Sequence, residues 1–342
     1  MSYLWRFQRW RSTLLVAAVL LAVLVALPAA AQPSPVTITL YNAQHVPVAE
    51  AWVNDFTAQT GIKVQIRSGR DFELANLLLQ EGERSPADVF ITENSPAMTA
   101  VANGGLFAPV DATTLAQVPT AFSSPVGDWT GIAARSTVFV YNPSRLPADQ
   151  LPSSMMDLAD PSWKGTIGIA PAGADFQAIV SAVLELRGPE ATVAWLEGLK
   201  ANARIFNGNR AIMAAANTGE VAGGIIYHYY WYGDRNESGA NSANVELHYF
   251  LNKDPGGFVS VSGGGVLKSS KYPAAAQRFL EYITSARGQQ MLADSNAMEY
   301  AIASNVPNPK LKPLGELDPP LIDISRLNGP KVIELMQRAG LI

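Results

Sequence analysis

Cysteine is absent from all 342 residues, which excludes disulfides, thiolate metal sites and lipid attachment through an N-terminal cysteine. No Gly-x-Ser-x-Gly elbow, no glycine-rich phosphate loop and no His-Glu-x-x-His helix occurs, so the motifs of a serine hydrolase, a nucleotide-binding enzyme or a zinc protease are missing. Basic residues do not cluster. With 25 Lys and Arg against 29 Asp and Glu, nothing favours nucleic acid or an anionic membrane surface. A full membrane span is lacking too, because the uncharged run from Ser12 to Leu27 falls short of the roughly 20 residues a spanning helix needs. That run follows Arg6, Arg9 and Arg11 and leads to Pro28-Ala29-Ala30-Ala31, the pattern of a secretory signal cleaved after Ala31. No adjacent Arg pair points to twin-arginine export. Cleavage would remove three basic residues and no acidic ones, moving the charge from −4 to −7 and leaving a length that usually splits into two lobes.

What remains alternates strand and helix signals. Val36 to Tyr41 alternates apolar residues with Thr, and Val48 to Gln59 places Ala49, Trp52, Val53 and Phe56 at helical spacing before Thr60-Gly61. A strand over Ile62 to Ile66, a helix through Leu74, Leu77 and Leu78, and a strand over Asp88 to Thr92 follow. This order implies a parallel sheet with right-handed crossovers and helices on both faces, whose ligands sit outside the carboxyl ends of the strands. Later come a long extended stretch over Gly131 to Asn142, a strand over Thr166 to Ala170, helices over Phe176 to Leu186 and Pro189 to Leu199, and an apolar strand over Val221 to Ile226. A glycine-rich run from Val259 to Leu267 reads as chain returning between lobes. Helices over Pro273 to Thr284, Ala286 to Asp294 and Gly329 to Ala339 complete the chain, with a proline-rich loop from Pro307 to Pro320.

The segment that carries chemistry is Tyr227-His228-Tyr229-Tyr230-Trp231-Tyr232, directly after the Val221 to Ile226 strand. Successive side chains of a strand face opposite ways, so Tyr229 and Tyr230 converge on one point only if the chain bends or starts a helix there. Phenolate is a hard anionic ligand, and a strongly charged cation lowers its pKa from about 10 as it does that of bound water. A tyrosine pair therefore suits a hard trivalent ion such as Fe(III). An aromatic core cluster is the alternative reading of these residues alone.

Tyr41-Asn42-Ala43-Gln44-His45, Pro86-Ala87-Asp88-Val89-Phe90-Ile91-Thr92-Glu93 and Tyr229-Tyr230-Trp231, in this order, resemble the ferric-ion-binding periplasmic proteins of bacterial iron ABC transporters. Supporting stretches are Val138 to Asn142, Trp195 to Lys200 and Gly263 to Ser270. The resemblance implies an α/β fold of the two-lobed type II periplasmic binding class, a Venus flytrap with its ligand cleft between lobes. It implies residues 32–137 with 262–312 in one lobe and 138–261 with 313–342 in the other. Matched position by position, it puts the metal ligands at His45, Glu93, Tyr229 and Tyr230, two from each lobe, so that bound metal would latch the lobes together. It further implies a monomer in the periplasm that hands Fe(III) to an inner-membrane ABC permease. The candidate hinges are Arg135 to Tyr141 and Val259 to Gly265, the latter with three consecutive glycines.

The anion site departs from the family pattern. Members that bind iron with a synergistic phosphate carry a Ser-Gly-Arg turn, an Asn in the second lobe and another Asn two residues before the tyrosine pair. Here the turn is Ala133-Ala134-Arg135 and the last position is Tyr227, so only Asn209 matches. Arg135, or less well Arg70, is the candidate for a bidentate contact to carbonate or another anion, and Tyr227 and Tyr141 are candidates for further phenolate. Two other readings stay open: the same fold binding a small organic or oxyanionic solute such as a polyamine, thiamine or a phosphonate, and an enzyme using Tyr229, His228 and Glu93 for acid–base work.

Overall fold

The computed structural model describes residues 36–342, so the expected signal segment and its cleavage position lie outside the described residues. The first strand, β1 (Thr37–Asn42), pairs in parallel with β2 (Lys63–Ser68) and β3 (Val89–Ile91). Helices α1 (Val46–Thr60) and α2 (Asp71–Glu81) make the crossovers. This is the arrangement expected from the alternating and 3.6-period patterns. The buried stripe of α1 is Val48, Ala49, Trp52, Val53 and Phe56, and Gly61 ends the helix at a φ of 72°, a left-handed backbone that favours glycine. Helix α3 (Ser95–Asn103) follows the third strand.

The long extended stretch is one strand, β4 (Thr130–Tyr141), buried at every position. Residues 130–136 pair antiparallel with β9 (Val259–Val266), which in turn pairs with β3; residues 137–141 pair with β7 (Gly223–Tyr227) instead. The ladder thus changes partner between Ser136 and Thr137. On the far side, β7 runs parallel to β5 (Ile167–Ile169), and β5 to β6 (Ala203–Ile205). Short strands β8 (Glu246–His248) and β10 (Tyr300–Ala301) also pair with β4, on opposite sides of the partner change. The expected pair of helices over 176–199 is present as the two halves of α4 (Ala174–Asn202), separated at Gly188, where φ is 79° ahead of Pro189. Helices α5 (Asn209–Asn217) and α6 (His228–Glu237) pack on the second group of strands. Helices α7 (Pro273–Thr284) and α8 (Ala286–Asp294) pack on the first, with the buried Trp52 indole donating to the Gly288 carbonyl at 2.8 Å. The terminal helix α9 (Gly329–Arg338) lies along α4.

One expectation changes. The three glycines of β9 do not mark a flexible hinge, because they lie inside the sheet, paired with β3 and β4. A Cβ at Gly264 would stand 2.7 Å from Ile132 Cδ1 and one at Gly265 2.6 Å from the Phe107 ring. Glycine is there for close approach. Gly265→Ala is therefore expected to lower stability by about 1–3 kcal/mol through overpacking, read as a lower urea midpoint of the metal-free protein. An unchanged midpoint would mean that Phe107 gives way freely.

Candidate metal centre

The strand β7 ends at Tyr227, whose extended backbone (φ −90°, ψ 147°) caps α6. His228, Tyr229 and Tyr230 are then the first residues of a helix, which resolves how two adjacent phenols reach one point. Their rings stack with centroids 4.2 Å apart. Both hydroxyls donate to Asp175 Oδ2, from 3.3 Å for Tyr229 and 3.0 Å for Tyr230. Asp175 lies in the first turn of α4 and also accepts from Asn209 Nδ2 at 2.7 Å and from Asn94 Nδ2 at 3.2 Å.

The facing residues come from the first group of strands. His45 is the residue before α1, where its carbonyl accepts the first helical N–H bonds. Glu93 follows β3, its amide held by Asp71 Oδ1 at 2.7 Å. Arg135 on β4 is fully buried and forms ion pairs to Glu93 Oε1 at 2.9 Å and to Glu299 Oε1 at 2.8 Å. Glu299, also fully buried, takes His45 Nε2 at 2.8 Å, and that nitrogen lies 3.7 Å from Glu93 Oε1. The two halves meet where the Tyr229 hydroxyl donates to Glu93 Oε1 at 3.3 Å. Donor atoms about 2 Å from one ion lie about 3 Å apart when adjacent around it, so these separations suit a single hard ion.

Burial is the largest influence on His45, Glu93, Glu299, His228 and both ligand tyrosines. It acts to lower His45, but the hydrogen bond to Glu299 and the charges of Glu299 and Glu93 outweigh it and raise the imidazole above its usual value. Glu299 is held down at about 2 despite burial, because Arg135 and His45 stabilise its charge. Glu93 is raised by burial more than Arg135 lowers it. Burial and the charges of Asp175 and Glu93 push both Tyr229 and Tyr230 far up, so each phenol keeps its proton in the metal-free protein at neutral pH. His228 is fully buried and held neutral, at about 3.

All four expected ligands, His45, Glu93, Tyr229 and Tyr230, are brought together. Asn209 is present but engaged by Asp175. Arg135 is ion-paired with two carboxylates of the chain. Arg70 lines a neighbouring cavity of about 450 Å³ with Asp71, Glu93, Asp175, Asn209 and Tyr230. Tyr141 lies elsewhere, donating to Glu246 at 2.9 Å. Tyr227 borders the site with its hydroxyl on Asn94 Oδ1 at 3.3 Å. Sequence reasoning missed Asp175, Glu299 and Asn94. An acidic residue in a first helical turn is a common complement to the helix dipole, so Asp175 carried no distinguishing signal, and Glu299 lies in a loop before a two-residue strand.

Two sheets sharing one long strand, with metal-competent donors facing each other from both, define a two-lobed binding protein of the type II periplasmic fold. The chain belongs to the bacterial extracellular solute-binding protein family, whose model matches residues 84–319. It is 55% identical over 306 residues to an Fe(3+)-binding periplasmic protein of Serratia marcescens, covering 89% of this chain and 90% of that one. It is 34% identical to the major ferric iron-binding protein of Neisseria meningitidis serogroup B, with 94% and 98% covered. Iron-bound HitA of Pseudomonas aeruginosa superposes with a TM-score of 0.84 at 43% identity, over 90% of this chain and all of that one.

Removing the Arg135 charge leaves two carboxylates without their partner. Arg135→Met is expected to cost about 3–5 kcal/mol, measured by urea unfolding of the metal-free protein at pH 7. A loss below about 1 kcal/mol would show the pair to be dispensable.

Proposed function

We propose that this protein is the periplasmic solute-binding component of an iron ABC transporter, taking Fe(III) in the cleft between its lobes and delivering it to an inner-membrane permease as a monomer. On this reading residues 1–31 are a cleaved export signal. Among the described residues no helix is long and apolar enough to cross a membrane, which is compatible with that route. The observation that carries the proposal is the convergence of both phenols on Asp175, with Glu93 and His45 across from them. His45, Glu93, Asp175, Tyr229 and Tyr230 are the ligands. Relatives whose names state ferric binding, and a solved relative described as iron-bound, support the choice of metal.

Charge explains why no exogenous anion is needed. Arg135 and Glu299 cancel, so Glu93, Asp175 and two phenolates set four negative charges against the three positive charges of Fe(III). A bound phosphate or carbonate would add unbalanced negative charge to a mostly buried site, which is costly. Asp175 takes the place of the anion, and the Asn209 amide serves Asp175 instead. The lobe assignments expected from the resemblance fit this arrangement: His45 and Glu93 lie on one side, and Asp175 and both tyrosines on the other. A metal held from both sides favours the closed state by its differential affinity.

Loading with ferric nitrilotriacetate is expected to produce a phenolate charge-transfer band in buffer free of phosphate and carbonate, with affinity unchanged when either is added. Tyr229→Phe, Tyr230→Phe and Asp175→Asn should each weaken binding by at least about 100-fold, the upper range for altered metal surroundings, with little change in the metal-free midpoint. Parent-like titration of both Phe variants would sink the proposal, and an absolute need for added anion would sink the role of Asp175.

Because His45 and both phenols titrate upward in the metal-free protein, binding must displace their protons. The sign follows: affinity rises with pH and falls on acidification. In weakly buffered solution at pH 7, iron uptake should release at least two protons per ion beyond the reagent blank. Tyr229→Phe should release fewer, and release independent of both phenols would contradict the ligand set.

A further inference from the structure

His228 stands immediately before the tyrosine pair, has no solvent exposure and plays no part in the ligand set just proposed. Its ring touches β4, β10 and the helix that carries the tyrosine pair. The Ser136 backbone N–H donates to its Nδ1 at 3.1 Å. Ser136 is the last residue of β4 paired with β9, the next residue being the first paired with β7, and its chain neighbour is Arg135. On another side the imidazole stacks on Tyr300, centroids 4.8 Å apart and 23° between planes, and Tyr300 follows Glu299. The same ring meets Tyr229 edge-on at 6.2 Å and 87°. One side chain thus borders the chain neighbours of both members of the buried ion pair, as well as the first ligand phenol.

Packing alone does not require an imidazole here. An apolar ring of similar size would fill the space beside Tyr300, but it would leave the Ser136 amide buried without its acceptor, at the point where β4 exchanges partners. The hydrogen bond fixes the start of α6, and with it the direction of the Tyr229 phenol, relative to Arg135 and Glu299. We infer that His228 is a positioning residue that sets the Tyr229 oxygen against the Arg135–Glu299–Glu93 group by tying α6 to the partner change in β4. This rests on the ferric reading of the site and adds to it a residue that acts through Tyr229 without contacting the ion.

The test compares His228→Phe, His228→Leu and His228→Asn in the full mature protein, with Tyr229→Phe and Tyr230→Phe as controls. An Asn amide oxygen can take the Nδ1 position and accept from Ser136; Phe and Leu cannot. Two quantities are read: the energy of the charge-transfer band after ferric nitrilotriacetate loading, and the rate of iron loss to excess desferrioxamine. The apolar variants should shift the band and speed release by about 10–100-fold, as altered second-layer partners of a metal site do. Asn should return both towards the parent. Parent-like band and rate in Phe or Leu overturn the inference, as does an Asn variant as impaired as Phe. Should neither apolar variant unfold cooperatively in the metal-free form, Asn is compared with His228→Gln, whose oxygen lies one carbon further out; equal behaviour of the two then overturns it. If Tyr229→Phe and Tyr230→Phe both bind iron like the parent, the ferric reading fails. If those two variants weaken binding while the apolar His228 variants keep the parent band and release rate, only the positioning role fails.

Discussion

A guanidinium with no access to water must find its counter-charges inside the protein, and Arg135 finds two. That requirement assembles half of the cleft before any metal arrives. It draws the loop after β3 through Glu93, the turn before β10 through Glu299, and β4 itself to one place, and Glu299 then fixes the His45 ring. The opposite half is organised by a lone carboxylate rather than a lone cation. Asp175 gathers two phenols and two amides, so it is buried and satisfied at once. Between the halves run the hydrogen bonds of Tyr229 to Glu93, Asn94 to Asp175, Tyr227 to Asn94 and Ser136 to His228. A site built this way can open without leaving a bare charge in either lobe.

The alternating strands and helices around β1, β2 and β3 were legible because each buries one face, and burial imposes a period on the sequence. The four ligands expected from the resemblance were legible for another reason: His45 and Glu93 follow strand ends, and Tyr229 and Tyr230 sit at a strand-to-helix junction, where short-range pattern and site coincide. Asp175 and Glu299 obey no such coincidence. Asp175 looks like any acid at a helix start, and its meaning comes from Tyr229 and Tyr230, more than 50 positions away in the chain. Glu299 is defined by an arginine and a histidine that lie still further off. Long-range electrostatic pairing leaves no periodic trace. The β9 glycines mislead in the opposite direction, since a run of three suggests flexibility while the crowding of Ile132, Leu280 and Phe107 demands the smallest side chain.

On the reading proposed above, a chain carboxylate in place of a free anion also changes what the protein asks of its surroundings. On that reading the donor set folds with the chain, and Asp175 is placed by the buried first half of α4, ahead of the break at Gly188. The cost is that an acid is retained beside two aromatic hydroxyls in the absence of metal. The two side-chain amides from Asn94 and Asn209 offset that cost.

The partner change in the middle of β4 bears on how the two halves move. The two crossing strands stay bonded to each other through it: Ser136 still pairs with Val259, and the Thr137 N–H donates to the Phe258 carbonyl at 2.9 Å. A pivot made of such a ribbon deforms by twisting a ladder that remains intact, as a torsion spring does, rather than by unzipping and re-forming it. In this structure the ribbon keeps its ladder bonds across the partner change. The balance between open and shut passes to whatever occupies the cleft, and a small ion gripped from both walls is enough to tip it.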